Sequence, residues 1–417
     1  IDKLEVLVLG GTFSEYPNEY QKEFVRDIYY AANTSIYSNR KERFPLETEM
    51  LLNESAQIRI IGLTLETRPD TITLQEIAKF RSFGCTRVQM GLQHTDDKIL
   101  KMSNRGHSIK HTIDAIALLK HNCFKLDVHL MPNLYGSNPQ KDIQMFEEIL
   151  YNPLLQADQI KIYPVSVVPW SVYEKMYKSG KYKPYSDEKL KEVLIYAKSR
   201  MHPWIRLNRV IRDIPLSYIE GGCSNPNMRQ SLSKISNCKC IRCREVKGKH
   251  IKDPYRKIRT YESSHGTEIF ISYETNDEKI LYGFIRLRIP WRNSSQFTPT
   301  FSELKNTAFI RELHVYGDLS GVGQSKGSQH KGFGTKLLKD AERFALWYGY
   351  SNIAVISGNG VRHYYRNRGY NITTQHGYLK KYMFNPILTF IFNCFVQACV
   401  YMGGIFHAIY LKKNYSY

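Results

Sequence analysis

Between Gln329 and Gly334 the chain reads Gln-His-Lys-Gly-Phe-Gly and runs directly into the helix-like segment 335–347. Glycines such as Gly332 and Gly334 let backbone N–H groups approach a ligand closely, and a helix N-terminus adds partial positive charge. The Gln-x-x-Gly-x-Gly run of Gln329, Gly332 and Gly334 therefore suits a pyrophosphate. A glycine-rich loop alone is weak evidence, because tight turns use the same residues. Its flanks strengthen the reading. A strand-like run at 309–315 precedes it, and a strand-like run at 353–356 and the cluster Arg362-His363-Tyr364-Tyr365-Arg366-Asn367-Arg368-Gly369-Tyr370 follow.

A second group of chemically capable residues is Cys238-x-Cys240-x-x-Cys243, three thiols within six residues. Tetrahedral zinc takes four such ligands, and Cys-x-x-Cys spacing closes a chelate ring. Cys223 is the expected fourth ligand, with His250 next in line. A redox pair or an unliganded surface cluster are the other readings. Bound zinc would shape an otherwise coreless linker and set Arg242 and Arg244 beside RNA.

These groups need elements to position them. Through the first half, short apolar runs at 4–9, 58–65, 87–92, 126–130, 159–163 and 205–210 alternate with amphipathic stretches such as 19–32, 73–83, 109–121 and 140–151. That alternation predicts an α/β fold with a parallel sheet closed or part-closed into a (β/α) barrel. Ligands of such barrels sit at the C-terminal strand ends. The unusual residues lie there: Gly10-Gly11-Thr12-Phe13, Glu66-Thr67-Arg68-Pro69-Asp70, Gly91-Leu92-Gln93 and Met131-Pro132-Asn133. A barrel over 1–220, a basic cysteine-rich linker over 221–255, a strand-rich α+β domain over 256–384 and an apolar extension over 385–417 are the expected divisions.

The 417 residues carry a formal charge of +20, which favours a polyanionic partner, nucleic acid above all. Compositional bias alone does not explain the clustering: residues 234–259 hold ten Lys or Arg and two acids. Eight cysteines in this length are too few for a disulfide scaffold, and Cys85 and Cys123 read as core thiols.

The loop, helix and tyrosine order resembles the GNAT acetyltransferases, whose loop-to-helix turn holds the pyrophosphate of acetyl-CoA. The chain as a whole resembles the family of the Elongator catalytic subunit. The matching pieces are Asp2-Lys3-Leu4-Glu5, Gly10-Gly11-Thr12-Phe13, Glu66-Thr67-Arg68-Pro69-Asp70, Asn104-Arg105-Gly106-His107, Arg212-Asp213-Ile214-Pro215, Arg311-Glu312-Leu313-His314-Val315-Tyr316-Gly317 and Tyr364-Tyr365-Arg366. The resemblance covers residues 2 to about 383. It implies a radical S-adenosylmethionine barrel joined to a GNAT domain, together carboxymethylating carbon 5 of wobble uridines in tRNA from acetyl-CoA. It further implies that Lys3 contacts the cofactor phosphates and that Glu312, Leu313, His314 and Val315 line the pantetheine arm. Phe333, Gly334, Thr335 and Lys336 would cradle the pyrophosphate. Tyr364 and Tyr365 would approach the thioester, one ring at the cofactor and one packed. Gly10, Gly11, Glu66 and Arg68 would serve S-adenosylmethionine. The family's iron–sulfur [4Fe-4S] cysteine triad would lie ahead of Ile1, so the chain is expected to be part of a longer product.

Implied partners are tRNA and other Elongator-type subunits or a second copy, in the cytoplasm or nucleus. The apolar run 386–411 is long enough for a membrane span, against which stand Asn393, Gln397 and His407. Two other functions compete. One is protein lysine acetylation with Glu312 as general base; the other is a non-catalytic RNA-binding module.

Overall fold

The computed structural model describes residues 2–35, 40–211, 214–223, 232, 237–246, 253–292, 298–316 and 332–384, with scattered positions from 388 to 402. The first sheet is β1 (Lys3–Val8), β2 (Arg59–Thr67), β3 (Arg87–Gln93), β4 (Lys125–Leu130), β5 (Gln159–Ile162) and β7 (Arg206–Val210). All five neighbouring pairs are parallel and follow chain order. Parallel neighbours need crossovers, and helices such as Leu74–Ser82, Ile109–His121 and Pro139–Tyr151 supply them. Thr73, Ser108 and Asn138 cap these three, each side chain accepting from a first-turn backbone N–H.

The open six-stranded half-barrel matches the expected fold, but the strands are not uniformly apolar. Val88, Leu126, Val128 and Ile160 turn to the helices and are fully buried. Their neighbours Arg87, Gln89, Asp127, Gln159 and Lys161 are buried as well. Hydrogen bonds join those polar groups to each other and to Thr64, Glu66 and Asn208. The concave face is therefore polar. A small pair, β6 (Ser166–Val167) with β8 (Gly221–Gly222), borders the half-barrel, so Gly221 and Gly222 pair with barrel-side chain rather than with a linker.

The second sheet runs β14 (Ile372–Thr373), β15 (Leu379–Tyr382), β13 (Asn352–Val355), β12 (Ala308–Val315), β11 (Leu281–Pro290), β10 (Gly266–Glu274) and β9 (Tyr255–Glu262). Only β12 and β13 are parallel. The helix Phe333–Trp347 covers one face, burying Leu337, Leu338 and Ala341 against Ile269, Ile285 and Ile310.

One irregularity governs how the two sheets meet. Arg286 pairs with Glu312 and Leu287 with Ile310, so Arg311 is the extra residue of a β-bulge. Bulges re-aim side chains. Arg311 turns to the half-barrel, where both terminal nitrogens donate to Asp158 at 2.6 Å and one also reaches Glu268 at 2.8 Å. Arg288 joins Glu268 at 3.0 Å, and Lys120 donates to Ser263 at 2.6 Å. The loop after β13 completes the joint. A Cβ on Gly358 would overlap the Ile61 carbonyl of β2, so no side chain fits between the two backbones.

The segment expected to be a coreless linker has a core. Cys240 and Ile241 are fully buried, and Ile241 packs with Phe270, Leu281 and Phe284. Among the described residues, no helix is long and apolar enough to cross a membrane. Most of 386–411 lies outside the described residues, as do His250 and Gln329.

Removing one partner of a buried ion pair strands the other. Asp158→Ala should therefore cost about 3–5 kcal/mol in urea denaturation, while Asp114→Ala at the exposed Lys110 pair should cost under about 0.5 kcal/mol. Burial would raise the Asp158 carboxyl, but Arg311 and Lys120 outweigh it and hold it far below the usual range. A depressed folded pKa gives stability that is complete above the unfolded value of about 4 and is lost only as pH falls toward the folded one. The carboxylate's own share of the Asp158→Ala penalty should thus persist from pH 8 to about pH 5, and the total should grow below neutrality, because Lys120, whose pKa burial lowers to about 7, takes up its proton more readily in the parent.

Candidate functional site

A cleft of about 580 Å³ lies between the sheets, lined by the N-terminal strand ends at Lys3, Arg59, Arg87 and Lys125 and by Glu312–Tyr316 of the second sheet. Its shape follows from strand pairing. β13 pairs with β12 only along Ala308, Phe309 and Ile310. Beyond Ile310 the two strands part, and among the described residues the β13-side edge of Glu312, Leu313, His314 and Val315 has no strand partner. The helix Phe333–Trp347 begins beneath this opening. Gly332, its N-cap, has φ +74° and provides no side-chain cap, so the first-turn N–H groups face the cleft wall at Gly334 and Thr335.

The expected site residues fall into two separate sets. Lys3, Glu312, Leu313, His314, Val315, Gly332, Gly334, Thr335, Tyr364 and Tyr365 line the cleft together. Gly10, Gly11, Glu66 and Arg68 lie at the opposite ends of β1 and β2. There the Gly10 N–H donates to Glu66 Oε2 at 3.2 Å, and Arg68 Nε donates to Asp70 at 3.0 Å. Phe333 is in neither set, because its ring is buried against Tyr273 and Tyr282 and only its backbone is available. Lys336 is exposed beside it.

The two tyrosines differ. Tyr365 is buried in the second core beside Tyr370, with its phenol pKa raised by burial. Tyr364 stands at the helix N-terminus, where a Cβ on Gly334 would overlap its hydroxyl. The Arg368 guanidinium stacks 3.7 Å from the Tyr364 ring centroid and donates to Thr335 Oγ1 at 3.2 Å.

Burial alone would raise the Glu312 carboxyl, but Lys125 and Arg286 outweigh it and hold it at about 2. Arg286 Nε donates to it at 2.9 Å. The neighbouring His314 opens to the cleft, yet the surrounding protein pushes its imidazole pKa down, opposed by Glu312. Lys125 and Arg286 were not singled out in the sequence, because they lie far apart along it and share no local pattern; Arg368 belongs to the tyrosine-bearing cluster 362–370.

The thiols of Cys238, Cys240 and Cys243 lie within 4.8 Å of one another. Three thiolates that close repel unless a cation sits among them. Cys223 is buried but is not one of this group. The group adjoins the N-terminal end of β7, where the Ile241 N–H donates to the Ile205 carbonyl. Arg244 does not suit the RNA contact expected of it, because it is 5% exposed and pairs with Glu274. Arg242 is half-buried and donates to the Asn208 carbonyl.

The crowding of Gly334 by Tyr364 is testable. Gly334→Ala should destabilise the parent, because the new methyl displaces the hydroxyl. In a Tyr364→Phe background it should be neutral or stabilising by up to about 1 kcal/mol, the helix propensity of alanine over glycine. A thermodynamic cycle by urea denaturation measures the coupling, and zero coupling would contradict this geometry.

Comparison with known proteins follows this geometry. Residues 3–149 match the radical SAM superfamily and 157–237 its C-terminal domain. The tRNA uridine(34) acetyltransferase of Methanocaldococcus infernus is 40% identical over 387 residues, spanning 88% of this chain and 70% of that protein. Its counterpart in Dehalococcoides mccartyi is 36% identical, over 92% and 83%. Elongator complex protein 3 of Homo sapiens is 34% identical, over 89% and 69%. The solved structure of archaeal Methanocaldococcus infernus Elp3 with an N-terminal deletion (1-46) superposes with a TM-score of 0.83 at 38% identity, covering 91% of this chain and 90% of that one. With identity of this order sustained across both sheets, the chain belongs to the family of the tRNA uridine(34) acetyltransferases and Elongator complex protein 3, within the radical SAM superfamily.

Proposed function

We propose that the chain binds acetyl-CoA in the cleft between its sheets and uses it to modify carbon 5 of the wobble uridine of tRNA, as a tRNA-processing acyltransferase. The observation that carries the cofactor is the parting of β12 and β13 above an uncapped helix N-terminus. The pyrophosphate rests on the N–H groups of Gly334 and Thr335, flanked by Arg368, Lys336 and Lys3. The pantetheine arm runs along the open edge of Glu312–Val315, where backbone groups pair with its amides. Tyr364, at the cleft end of that edge, donates its O–H to the thioester oxygen or protonates the departing thiolate. The second sheet and its helix thus act as a GNAT-type domain, extending over 256–384. The uridine substrate rests on family membership.

Lysine acetylation is disfavoured by a specific observation. A base at Glu312 would need a carboxyl pKa near neutrality, whereas Lys125 and Arg286 hold it at about 2. An RNA-binding module without catalysis would leave the cleft and its open strand edge without an occupant.

At the C-terminal strand ends, Gly10 and Gly11 have open space around their Cα atoms, and Glu66 and Arg68 border them, which suits S-adenosylmethionine. When bound with a [4Fe-4S] cluster, that cofactor supplies a carbon-centred radical. The described cysteines do not fit such a cluster at those ends, because the three-thiol group adjoins the opposite end of β7. That group, closer in character to a structural zinc site, takes zinc through Cys238, Cys240 and Cys243, with a fourth ligand from Cys223, His250 or solvent. Other Elongator-type subunits are further partners on this reading.

Acetyl-CoA turnover, read as CoA release, should rise when tRNA is added, since the acceptor is then present. Equal rates with and without tRNA would remove tRNA as the substrate. Gly334→Asp should abolish acetyl-CoA binding in equilibrium dialysis by setting a carboxylate against the pyrophosphate; retained affinity would refute the cradle. Elemental analysis should find about one zinc per chain, lost in Cys240→Ser. A metal-free protein of undiminished stability would leave the thiols without this role.

A further inference from the structure

Two physical anomalies lie at the C-terminal rim of the half-barrel, in the chain that follows β3 and β5. The first is Arg105. Its guanidinium is partly buried, yet its one protein acceptor among the described residues is the Met131 thioether, at 3.2 Å, and its Nε has none. Burial lowers its pKa, and no carboxylate compensates. The other well-buried arginines have a carboxylate or several backbone carbonyls as partners, even where one nitrogen, such as Arg288 Nε or Arg286 Nη1, lacks an acceptor. Arg81 donates to three backbone carbonyls, and Arg288 and Arg311 share Glu268. A desolvated cation without an anion is costly, and an incoming anion relieves that cost. Two residues on, His107 Nε2 bonds the Leu92 carbonyl, which leaves buried Nδ1 an acceptor without a donor.

The second anomaly is Trp170. It is 90% exposed and holds φ +62°, a left-handed backbone that a bulky side chain adopts only at a cost. An aromatic ring gains nothing from water, and strain that presents it there points to a ligand. The two anomalies are linked through Tyr173. Its hydroxyl lies 3.2 Å from Ser103 Oγ and accepts from the Tyr135 N–H at 3.1 Å, and its phenol is the charge-bearing group nearest in effect to Arg105. The surroundings are basic: residues 170–183 carry four lysines and one glutamate, and all four lysines are exposed.

We propose that Arg105 and Trp170 form a docking site for single-stranded RNA, with a phosphodiester on the Arg105 guanidinium and a base stacked on Trp170. His107 Nδ1 accepts from the ribose hydroxyl beside that phosphate. Stacking on an exposed aromatic combined with one fixed phosphate contact is how single strands are held without reading their sequence. The site deepens the tRNA reading, on which its physiological ligand rests, and it involves no residue of the acetyl-CoA cleft.

The test is filter binding across a salt series, using an anticodon stem-loop, an unrelated RNA stem-loop and the anticodon sequence as DNA. Arg105→Gln should lower the slope of log affinity against log salt by about one contact. Trp170→Ala should weaken RNA binding roughly tenfold to a hundredfold. The ring makes little contact with the fold, so melting temperature and acetyl-CoA affinity should match the parent, which separates docking from misfolding. Equal losses on both RNA loops would uphold the dock while removing tRNA selectivity from it. Parent-like affinity and slope in both variants would overturn the proposal, as would DNA bound as tightly as RNA. A loss of S-adenosylmethionine affinity in Arg105→Gln with RNA binding intact would also overturn it, assigning the arginine to that cofactor.

Discussion

The bidentate pair between Arg311 and Asp158 is the constraint on which the rest of the arrangement depends. It joins the bulged strand of the second sheet to the residue that opens β5 of the first. A hydrophobic contact in that place would tolerate sliding; a planar guanidinium meeting two carboxylate oxygens does not. The bulge has a second effect. Inserting Arg311 lets two consecutive residues, Arg311 and Glu312, face the half-barrel, where a regular strand would alternate. One closes the joint and the next enters the cleft. Net stability is not the main product of such a network, since well-packed apolar side chains often do as well. Its product is a single orientation of the β12 edge relative to the N-terminal ends of β1 to β4, and that orientation defines the cleft.

The half-barrel separates its two chemical surfaces by the length of its strands. Lys3 and Gly10 are seven residues apart, yet one lines the cleft between the sheets and the other lies at the far rim. Between them the concave face carries the chain Arg87, Gln159, Asn208, Asp127, Lys161, Gln89, Glu66. An apolar lumen would pack more simply. A polar one requires that each group find a partner, and all but a few atoms, such as Asp127 Oδ1, do.

What could be read in the sequence is what leaves a local trace. The helix Ile109–His121 has the limits that its apolar spacing gives, and the β12 and β13 segments agree to within one residue because alternation is a short-range signal. The three-thiol group was legible from spacing alone. The fate of Arg244 was not. In the sequence it belongs to a basic run, and in the fold it is buried against Glu274, thirty residues away. The pair Arg311–Asp158 spans 153 positions and has no periodic signature. Glu312 shows the limit most clearly: its residue type suggests a base, and only Lys125 and Arg286, brought in from elsewhere, make it too acidic to be one.

The same long-range pairing decides where the protein's charge acts. The network at the joint contains Lys120, Arg286, Arg288 and Arg311 against Asp158, Glu268 and Glu312, so it is nearly neutral. Almost all of the +20 therefore lies outside it. Since Arg244 is buried in a pair of its own, the attraction for a polyanion cannot be assigned to the basic linker by counting its residues. Exposed side chains such as Lys175, Lys181 and Lys183 contribute to it, with a field that reaches about a Debye length, roughly 8 Å at physiological salt, into solvent. Long-range steering and close docking then fall to different groups on the same rim. At the proposed dock the lysines would raise the local concentration of a polyanion without fixing it, and Arg105 and Trp170 would hold one nucleotide in register.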